Sequence, residues 1–482
     1  MTTTSASLTQ AAEAPAARSA STRLMWAILG LVLLADALDM IDSTVTNIAA
    51  PTISGEIGGG ASLLKWLGAS YALAMGVLLV VGGRLGDRYG QRRLFLVGIV
   101  GFTAASAVCG LAPTPAVLIG ARVVQGAFGA LLIPQGMAIM TKTFSPQMLR
   151  TAFGLFAPLL GLATVGGPII AGFLIDADVA GLSWRPIFLV NLLLGTIGTV
   201  AALKLLPRDD DGDPSVSIDA IGSGLLALAM GGTLFGLIEG SSDSWSPLPI
   251  ATLLTGLLAF AAFGRRQVTA ADPLLKPSLL RNRGFSSGLV TGLVVFAATS
   301  GLAYVLSLFI QQALGADPGD TALGLLPLTA GIIVAAGACM GLMAKLGRTL
   351  IFAGLAILAL GVGGLLTLVI VNGAELTLWQ LAPAIFVTGL GMGACYGTIF
   401  DIALGDIDAD EAGSASGSLS AVQQLAAGAG SALVTTVFLQ VGGSFTHAMT
   451  VTLIVVLAAV VACLGPARLL PRRAPAEPTG GH

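Results

Sequence analysis

Long apolar runs, separated by short polar or Pro/Gly-rich breaks, constrain the fold of this chain more than any other feature. Residues 349–371, for example, contain no charged side chain. A helix that crosses a bilayer needs ~20 mostly apolar residues, and runs of that length recur along the chain. Charged residues make up 10% of the 482, against about 25% in soluble domains. The sequence therefore excludes soluble enzymes, nucleic-acid binders and secreted scaffolds, and predicts an all-α polytopic membrane protein.

The apolar runs predict fourteen transmembrane helices, and the loop charges set their orientation. The predicted spans lie near 25–50, 63–83, 94–112, 115–141, 151–175, 184–206, 218–238, 248–264, 286–313, 321–344, 349–371, 379–401, 413–440 and 447–469. With a cytoplasmic N-terminus, all 23 lysines and arginines fall on the cytoplasmic side except Lys65 and Arg185, placed outside, and Arg122, placed within a span. Both termini are therefore predicted to be cytoplasmic, as tails over 1–24 and 471–482.

An internal repeat divides the chain into two halves. At one common offset, Gly126, Gly154 and Gly167 align with Gly389, Gly417 and Gly430. The repeat predicts a six-helix N half over 25–207 and a six-helix C half over 286–470. Between them, 208–285 forms a linker with two extra, peripheral helices. Parallel halves around a central site are typical of transporters.

The composition also argues against nucleic-acid binding, a metal or cofactor site, and enzymatic activity. A net charge of −2 gives no basic field for nucleic acid. The four cysteines lie inside apolar runs and are interpreted as buried thiols, and two histidines make a metal centre improbable. There is no phosphate-binding loop and no convergence of Ser, His and Asp. We expect no cofactor, nucleotide or metal and no enzymatic activity.

The loop between the second and third spans carries a specific motif. Residues 83–93 fit Gly-x-x-x-Asp-Arg-x-Gly-x-Arg-Arg through Gly83, Asp87, Arg88, Gly90, Arg92 and Arg93. Positive-inside anchoring needs only the arginines, whereas the full pattern also holds glycines that permit a tight turn and close helix contact. This pattern resembles the loop signature of the major facilitator superfamily.

Further motifs extend the resemblance over nearly the whole chain. Residues 41–51 (IDSTVTNIAAP) resemble the first-helix motif of fourteen-helix drug:proton antiporters, and residues 122–126 (RVVQG) resemble their fourth-helix motif. The fifth span is similar to the antiporter signature through Gly154, Gly167, Pro168 and Gly172, with alanine for glycine at 163 and 171. Trp66, Tyr71, Trp184, Arg185, Phe188 and Asn191 also stand where that family places them. The resemblance implies a major facilitator fold and export of a small amphipathic compound driven by inward proton flow.

Buried charge gives an independent indication of proton coupling. Asp36, Asp39 and Asp42 fall within a ~120° arc of the first span. Each ionised Asp near the bilayer centre costs roughly 2.5–3.5 kcal/mol, so these acids must face the protein interior or a water-filled cavity. Any one of them could instead make only a structural hydrogen bond; Asp42, set in the motif, is the strongest candidate and Asp39 the weakest.

Arg122 is the one basic residue expected inside a span. Counting from Pro51 and Pro115 at the outer helix ends places Asp42 ~13 Å and Arg122 ~10 Å below the outer surface. We hypothesise that the two share a site, where the guanidinium stabilises the carboxylate, and that rocking changes their distance. A static ion pair that fixes the helices is the alternative.

Other polar residues within spans are candidates for a substrate cavity or for interhelical hydrogen bonds. The cavity candidates are Asn47, Gln125, Gln135, Tyr304, Gln311 and Tyr396. Cavity carboxylates offer only acceptors, so they favour substrates that are cationic or rich in donors.

The most consistent interpretation is a monomeric, multi-pass protein of the bacterial cytoplasmic membrane that exports drugs or an antibiotic in exchange for protons. Alternating access would come from rocking of the N half against the C half. Two alternatives stay open. A proton-coupled importer would share the fold without needing the fifth-span signature. A non-transporting membrane sensor would have no reason to keep buried acids.

Overall fold

The protein is a bundle of long helices, here described from a computed structural model. The structure describes residues 22–471 except 146–147, 149–151, 153–166, 168, 209–211, 243–244, 271–272, 275–276, 405–406 and 408–411. The helices are α1 (Thr22–Ile57), α2 (Gly60–Tyr89), α3 (Gln91–Gly110), α4 (Pro115–Thr143), α5 (helical residues 169–176), α6 (Pro186–Leu205), α7 (Ala220–Ser242), α8 (Pro247–Thr269), α9 (Pro277–Arg281), α10 (Arg283–Gln312), α11 (Pro318–Leu346), α12 (Arg348–Asn372), α13 (Leu378–Leu404), α14 (Ala412–Gln440), α15 (Phe445–Ala462) and α16 (Leu464–Ala467).

Thirteen of the described helices are long and apolar enough to cross a bilayer, and no strand occurs in the described ranges. This confirms the predicted all-helical membrane fold. The remaining predicted span, 151–175, falls largely outside the described residues. Lys65, which the charge pattern placed on the outer side, lies buried near the outer end of α2.

The two halves repeat the same packing. In the N half α4 packs on α2 and α3, and in the C half α13 packs on α11 and α12. Glycines from the sequence repeat make these contacts possible. A Cβ on Gly126 of α4 would lie 2.4 Å from the Tyr71 carbonyl oxygen of α2, and one on Gly389 of α13 would lie 2.0 Å from the Leu328 carbonyl oxygen of α11. The repeat therefore marks positions where two helix backbones meet too closely for any larger side chain.

The inserted pair, α7 and α8, differs from the expectation that both helices are peripheral. Helix α7 packs against both α2 of the N half and α14 of the C half. At its outer end, Glu239 accepts hydrogen bonds from Ser62 Oγ (2.9 Å) and Trp66 Nε1 (2.7 Å) of α2. Helix α8 packs on α7 and leaves Leu254, Leu257 and Leu258 exposed. Only α8 is peripheral, because α7 packs against one helix of each half, α2 and α14.

The loop motif joins α2 to α3 through a turn at Gly90, whose φ of +94° is a conformation that side-chain-bearing residues rarely adopt. The same loop region brings Gly86 against α4, where a Cβ would lie 1.8 Å from Gln135 Oε1. Asp87 is exposed at the end of α2, with its side chain 3.4 Å from Gln91 Nε2. Two arginines bind backbone carbonyls: Arg88 binds that of Val216 in the linker (3.0 Å), and Arg92 binds that of Leu203 in α6 (3.1 Å).

The two halves contact each other at the outer end of the bundle, taking the orientation from the loop charges. Gln311 Nε2 of α10 donates to the Ile48 carbonyl of α1 (3.2 Å), and the Tyr304 hydroxyl of α10 donates to the Leu64 carbonyl of α2. Both contacts join the two halves near their outer ends. They hold the two halves together at this end of the bundle.

Candidate functional site

A buried polar network surrounds Asp42 on α1. Arg122 Nη1 of α4 forms an ion pair with Asp42 Oδ2. The other carboxylate oxygen, Oδ1, accepts from Gln125 Nε2 (2.8 Å) and from Asn191 Nδ2 of α6 (2.6 Å). All four side chains are at most 1% exposed. Both oxygens of Asp42 are therefore satisfied without water, which is the condition under which a charged pair is tolerated in an apolar interior.

Arg122 is held from several directions. The same Nη1 also donates to Gln125 Oε1 (2.8 Å), one turn along α4. The guanidinium carbon lies 4.3 Å from the ring centroid of Tyr71 and 5.8 Å from that of Phe188, which are cation–π distances. Gln125 in turn donates to Ser106 Oγ of α3 (2.7 Å). The network thus joins five helices, α1, α2, α3, α4 and α6.

The two other predicted acids lie along the same helix. Asp39 is fully buried and accepts a hydrogen bond from the Tyr71 hydroxyl, while its Oδ2 has no hydrogen-bond partner among the described residues. Asp36 is 6% exposed, and its Oδ1 likewise has no partner among them. Tyr71 therefore links Asp39 to Arg122, and Asp36 stands next along the row. The three acids lie on successive turns of α1, with Asp36 nearest to the N-terminal end of the helix and Asp42 furthest from it.

The structure brings together Asp42, Arg122 and Gln125, but it separates the other cavity candidates. Gln135 is buried and donates to the Gly82 carbonyl (2.7 Å). Tyr304 and Gln311 make the outer contacts between halves, and the Tyr396 hydroxyl lies 2.7 Å from Thr299 Oγ1 within the C half. These side chains make interhelical hydrogen bonds in this conformation. The side chain of Asn47 is outside the described ones.

Sequence reasoning missed Ser106, a small hydroxyl residue of α3. It also treated Asn191 and Tyr71 only as positions shared with the antiporter family. No periodicity marks these three residues, because a hydrogen-bond partner is set by packing between helices and not by spacing along one. Cys109, predicted to be a buried thiol, is confirmed as one; its sulfur lies 3.5 Å from Gln125 Oε1.

Gly167, which precedes α5, lies against this network, and Gly172 of α5 lies at the outer contact between the halves. A Cβ on Gly167 would lie 2.1 Å from Thr44 Oγ1 and 3.3 Å from the Ile41 carbonyl oxygen, on the turn of α1 that carries Asp42. Five residues later, a Cβ on Gly172 would lie 2.8 Å from Gly319 Cα at the start of α11. The other two residues of the predicted antiporter signature, Gly154 and Pro168, lie outside the described residues.

We expect Gly172→Val to prevent the outer side from closing, because the new side chain would collide with backbone atoms of α11. Overpacking of this kind costs enough to shift a population by about 10-fold or more. Electron–electron distance measurements are made between spin labels at Leu182→Cys and Gly442→Cys, which are both exposed on the outer side. In Gly172→Val, label–label distances longer than those of the closed wild type should become dominant. Gly363→Val is the matched control, since a Cβ there meets nothing within 4 Å. An unchanged distance distribution in Gly172→Val would contradict this role for Gly172.

An acidic cluster lies at the same outer contact. Asp176 at the end of α5 accepts a hydrogen bond through Oδ2 from the backbone N–H of Gly319 (3.1 Å) at the start of α11. Asp317 and Asp320 flank that N–H on the C half. Partial burial raises the pKa of the Asp176 carboxyl, the two neighbouring acids raise it further, and the hydrogen bond from Gly319 opposes the rise. The net pKa is raised.

The sign of this shift predicts a pH response. When the outer side opens, Asp176 leaves Asp317, Asp320 and Gly319, and its pKa returns toward the ordinary value. The closed conformation therefore binds more protons, and it gains stability as the outer pH falls through the raised pKa. The same spin-label pair should report a larger closed fraction at acidic pH. Asp176→Asn should lose this response and Glu375→Gln, at an exposed acid elsewhere on the outer side, should keep it. A response that persists in Asp176→Asn would assign it to another group.

With the geometry established, the family follows from sequence comparison. Residues 32–431 match the family model described as Major Facilitator Superfamily. The chain belongs to the major facilitator superfamily. This family consists of transporters rather than enzymes, and its helices make the chain a multi-pass protein of the bacterial cytoplasmic membrane. The resemblance inferred from the loop motif is confirmed.

Similar proteins include named antibiotic exporters. The chain is 43% identical over 87% of its length to the "Probable actinorhodin transporter" of Streptomyces coelicolor, covering 73% of that protein. It is 31% identical over 85% of its length to the "Tetracenomycin C resistance and export protein" of Streptomyces glaucescens, covering 75% of it. Among solved structures, a peptide transporter POT in complex with sulfate matches with a TM-score of 0.65 at 15% identity, over 94% of this chain and 97% of that one. The structural match shows the shared fold.

Proposed function

We propose that this protein is a proton-coupled antiporter that exports an antibiotic or similar drug from the cytoplasm by alternating access. The observation that carries the proposal is the buried ion pair of Asp42 and Arg122, completed by Gln125 and Asn191, inside a major facilitator bundle. An intramembrane acid paired with a single base is functional by default. The similar antibiotic exporters favour export over import.

The location of the network refines how coupling would work. Asp42, Arg122, Gln125, Ser106 and Asn191 all belong to the N half, so rigid rocking of the two halves leaves the ion pair intact. Coupling instead needs a movement within the N half. The segment 167–172 would supply the physical link, because Gly167 lies against the Asp42 turn of α1 and Gly172 of α5 lies against α11. Opening the outer side would shift α5 and release α1 from its present position.

Asp42 is 0% exposed, so its proton exchange waits for that movement. Protonation removes the charge that holds Arg122, and the two carboxylates behind it, Asp39 and Asp36, can accept the proton on the way to the cytoplasm. Each has an oxygen without a partner among the described residues, which is costly for a carboxylate within a bilayer. The row of acids on α1 thus supports inward proton transfer.

The proposal is tested with purified protein in liposomes that contain a pH-sensitive dye. A proton gradient is imposed, and actinorhodin, tetracenomycin C and a panel of lipophilic cations are added in turn. We expect at least one compound to trigger proton movement in the direction opposite to its own. A protonophore should abolish the exchange, and protein-free liposomes should show none.

The other outcomes identify the alternatives. If compound and protons move in the same direction, the protein is an importer. Compound binding without movement of either species would favour the sensor. Compound movement that does not respond to the gradient would overturn proton coupling while keeping transport.

A further inference from the structure

The inserted helices α7 and α8 form one packed hairpin. A Cβ on Gly256 of α8 would lie 2.4 Å from the Thr233 backbone nitrogen of α7, so the two backbones are in close contact near their middles. At the cytoplasmic end, Arg266 Nε of α8 donates to Oδ1 of Asp219 (2.7 Å), which directly precedes α7 and is 6% exposed. A movement of either helix therefore carries the other with it.

At its outer end the hairpin is anchored to α2 by polar contacts. Glu239 of α7 accepts the hydrogen bonds from Ser62 and Trp66. The same carboxylate attracts the ammonium group of Lys65, which is 1% exposed. A buried charge is tolerated in an apolar interior when an opposite charge lies near it. Separation of α7 from α2 would therefore remove two hydrogen bonds and take a countercharge away from a buried lysine.

The cytoplasmic end of the hairpin is anchored to the same helix. Before α7, the Val216 carbonyl accepts from Arg88 Nη1 (3.0 Å). After α8, the Pro273 carbonyl accepts from Arg84 Nη2 (2.7 Å). Both arginines belong to the last turns of α2, so the hairpin has polar anchors on α2 at both of its ends.

The contacts of the hairpin with the C half have a different chemistry. Leu226 and Met230 of α7 cluster with Leu425 of α14, and Leu234 clusters with Ala432 two turns further out. Apolar packing is non-directional. One of these surfaces can therefore shift along the other without leaving a polar group unpaired.

The chain crosses to the C half after the hairpin. Asn282 caps α10 by accepting from the Phe285 N–H (3.0 Å), and Leu279 of α9 is buried in a cluster with Phe285 and Ala415. Pro273, in contrast, is held by α2. The crossing therefore lies between Pro273 and Leu279, which leaves the hairpin on the N-half side of it.

We infer that the hairpin of α7 and α8 moves as part of the N half, and that its interface with α14 is the surface that shifts when the halves rock. The inference rests on the alternating access proposed above. Helices α2 and α14 also contact each other, where a Cβ on Gly76 of α2 would lie 2.7 Å from Leu425 Cγ. Because it is fixed to α2, the hairpin stays beside this junction as the halves separate.

The test compares spin-label distances in the full chain, with two labels at a time. The labels are placed at Leu248→Cys of α8, Leu182→Cys of the N half and Gly442→Cys of the C half, which are all exposed, whereas the four native cysteines are buried. In Gly172→Val, where the outer ends should separate, we expect the hairpin–C-half distance (248 to 442) to shift together with the distance between the halves (182 to 442). The hairpin–N-half distance (248 to 182) should stay within the width of its wild-type distribution.

A second measurement tests the anchor itself and does not depend on rocking. Glu239→Ala removes the acceptor of both hydrogen bonds and should broaden the distribution of the hairpin–N-half distance. Ser62→Ala/Trp66→Phe removes the two donors but keeps the charges, and it should broaden the distribution less. Glu375→Ala, at an exposed acid of the outer side, is the matched control and should leave it unchanged. Melting temperatures establish that each variant is folded.

Three results would overturn the inference. A shift of the hairpin–N-half distance at a constant hairpin–C-half distance would attach the hairpin to the C half. Shifts of both distances would make it an independent element. An unchanged hairpin–N-half distribution in both Glu239→Ala and Ser62→Ala/Trp66→Phe would show that the anchor does not hold α7. If the distance between the halves never changes, alternating access fails, and the anchor variants then decide the inference by themselves.

Discussion

Asp42→Asn is expected to abolish substrate-dependent proton movement in liposomes while leaving substrate binding measurable. Asparagine keeps the shape of the side chain and an acceptor oxygen for Asn191 or Arg122, so the helices can still pack. It cannot bind and release a proton within the physiological range, and the driving force is then lost. Internal dye fluorescence and substrate efflux, recorded in the same preparation, should both fall to the level of protein-free liposomes.

Thr46→Val is the matched control for this variant. Thr46 lies one turn outward from Asp42 on α1, is 1% exposed and lies outside the polar network, so valine preserves its volume without touching the ion pair. Transport by Thr46→Val should stay close to the wild-type rate. Proton movement that survives in Asp42→Asn but disappears in Asp36→Asn or Asp39→Asn would move the coupling site inward along α1.

The pairing of Asp42 with Arg122 illustrates what the sequence alone can predict. Counting residues from the two outer prolines placed both side chains at similar depth, and the structure brings them into contact. The count works because an α-helix rises by a constant ~1.5 Å per residue, so depth is a one-dimensional property. Azimuth is not fixed in this way. Spacing on α1 alone could not reveal that Tyr71 of α2 bonds Asp39, or that Asn191 of α6 completes the site.

The packing of α7 against both halves could not be predicted from the sequence for a related reason. Hydropathy shows that α7 is apolar, but in a bilayer a lipid-facing helix and a buried one have the same composition. The polar residue that distinguishes α7 is Glu239, and its partners, Ser62 and Trp66, are far away in the sequence. Likewise, the contact of Asp176 with Gly319 of α11 joins residues that are far apart in the sequence. The positions of α7 and Asp176 depend on contacts between segments that are distant in the sequence, and periodicity within one segment does not reveal such contacts.

Arg122→Lys is expected to retain a folded protein with transport reduced by about 10-fold or more. In the wild type, one guanidinium nitrogen bonds both Asp42 and Gln125, and the planar group lies against the ring of Tyr71. A lysine ammonium keeps the charge but is a strongly hydrated point charge without the planar fork. Efflux rate and melting temperature of the purified protein, measured together, separate function from folding. Full activity in Arg122→Lys would show that the guanidinium geometry is dispensable.

A double substitution decides between a coupling site and a static ion pair. Arg122→Leu alone leaves Asp42 buried and unpaired, which typically costs about 3–5 kcal/mol and should lower the melting temperature sharply. Asp42→Asn/Arg122→Leu removes both charges, so it should recover much of that stability. If the pair couples protons to transport, the double variant is stable and still inactive. If the pair only fixes the helices, transport should return together with stability. The neutral side chains would then hold α1 and α4 in place, and no proton-binding group would be needed.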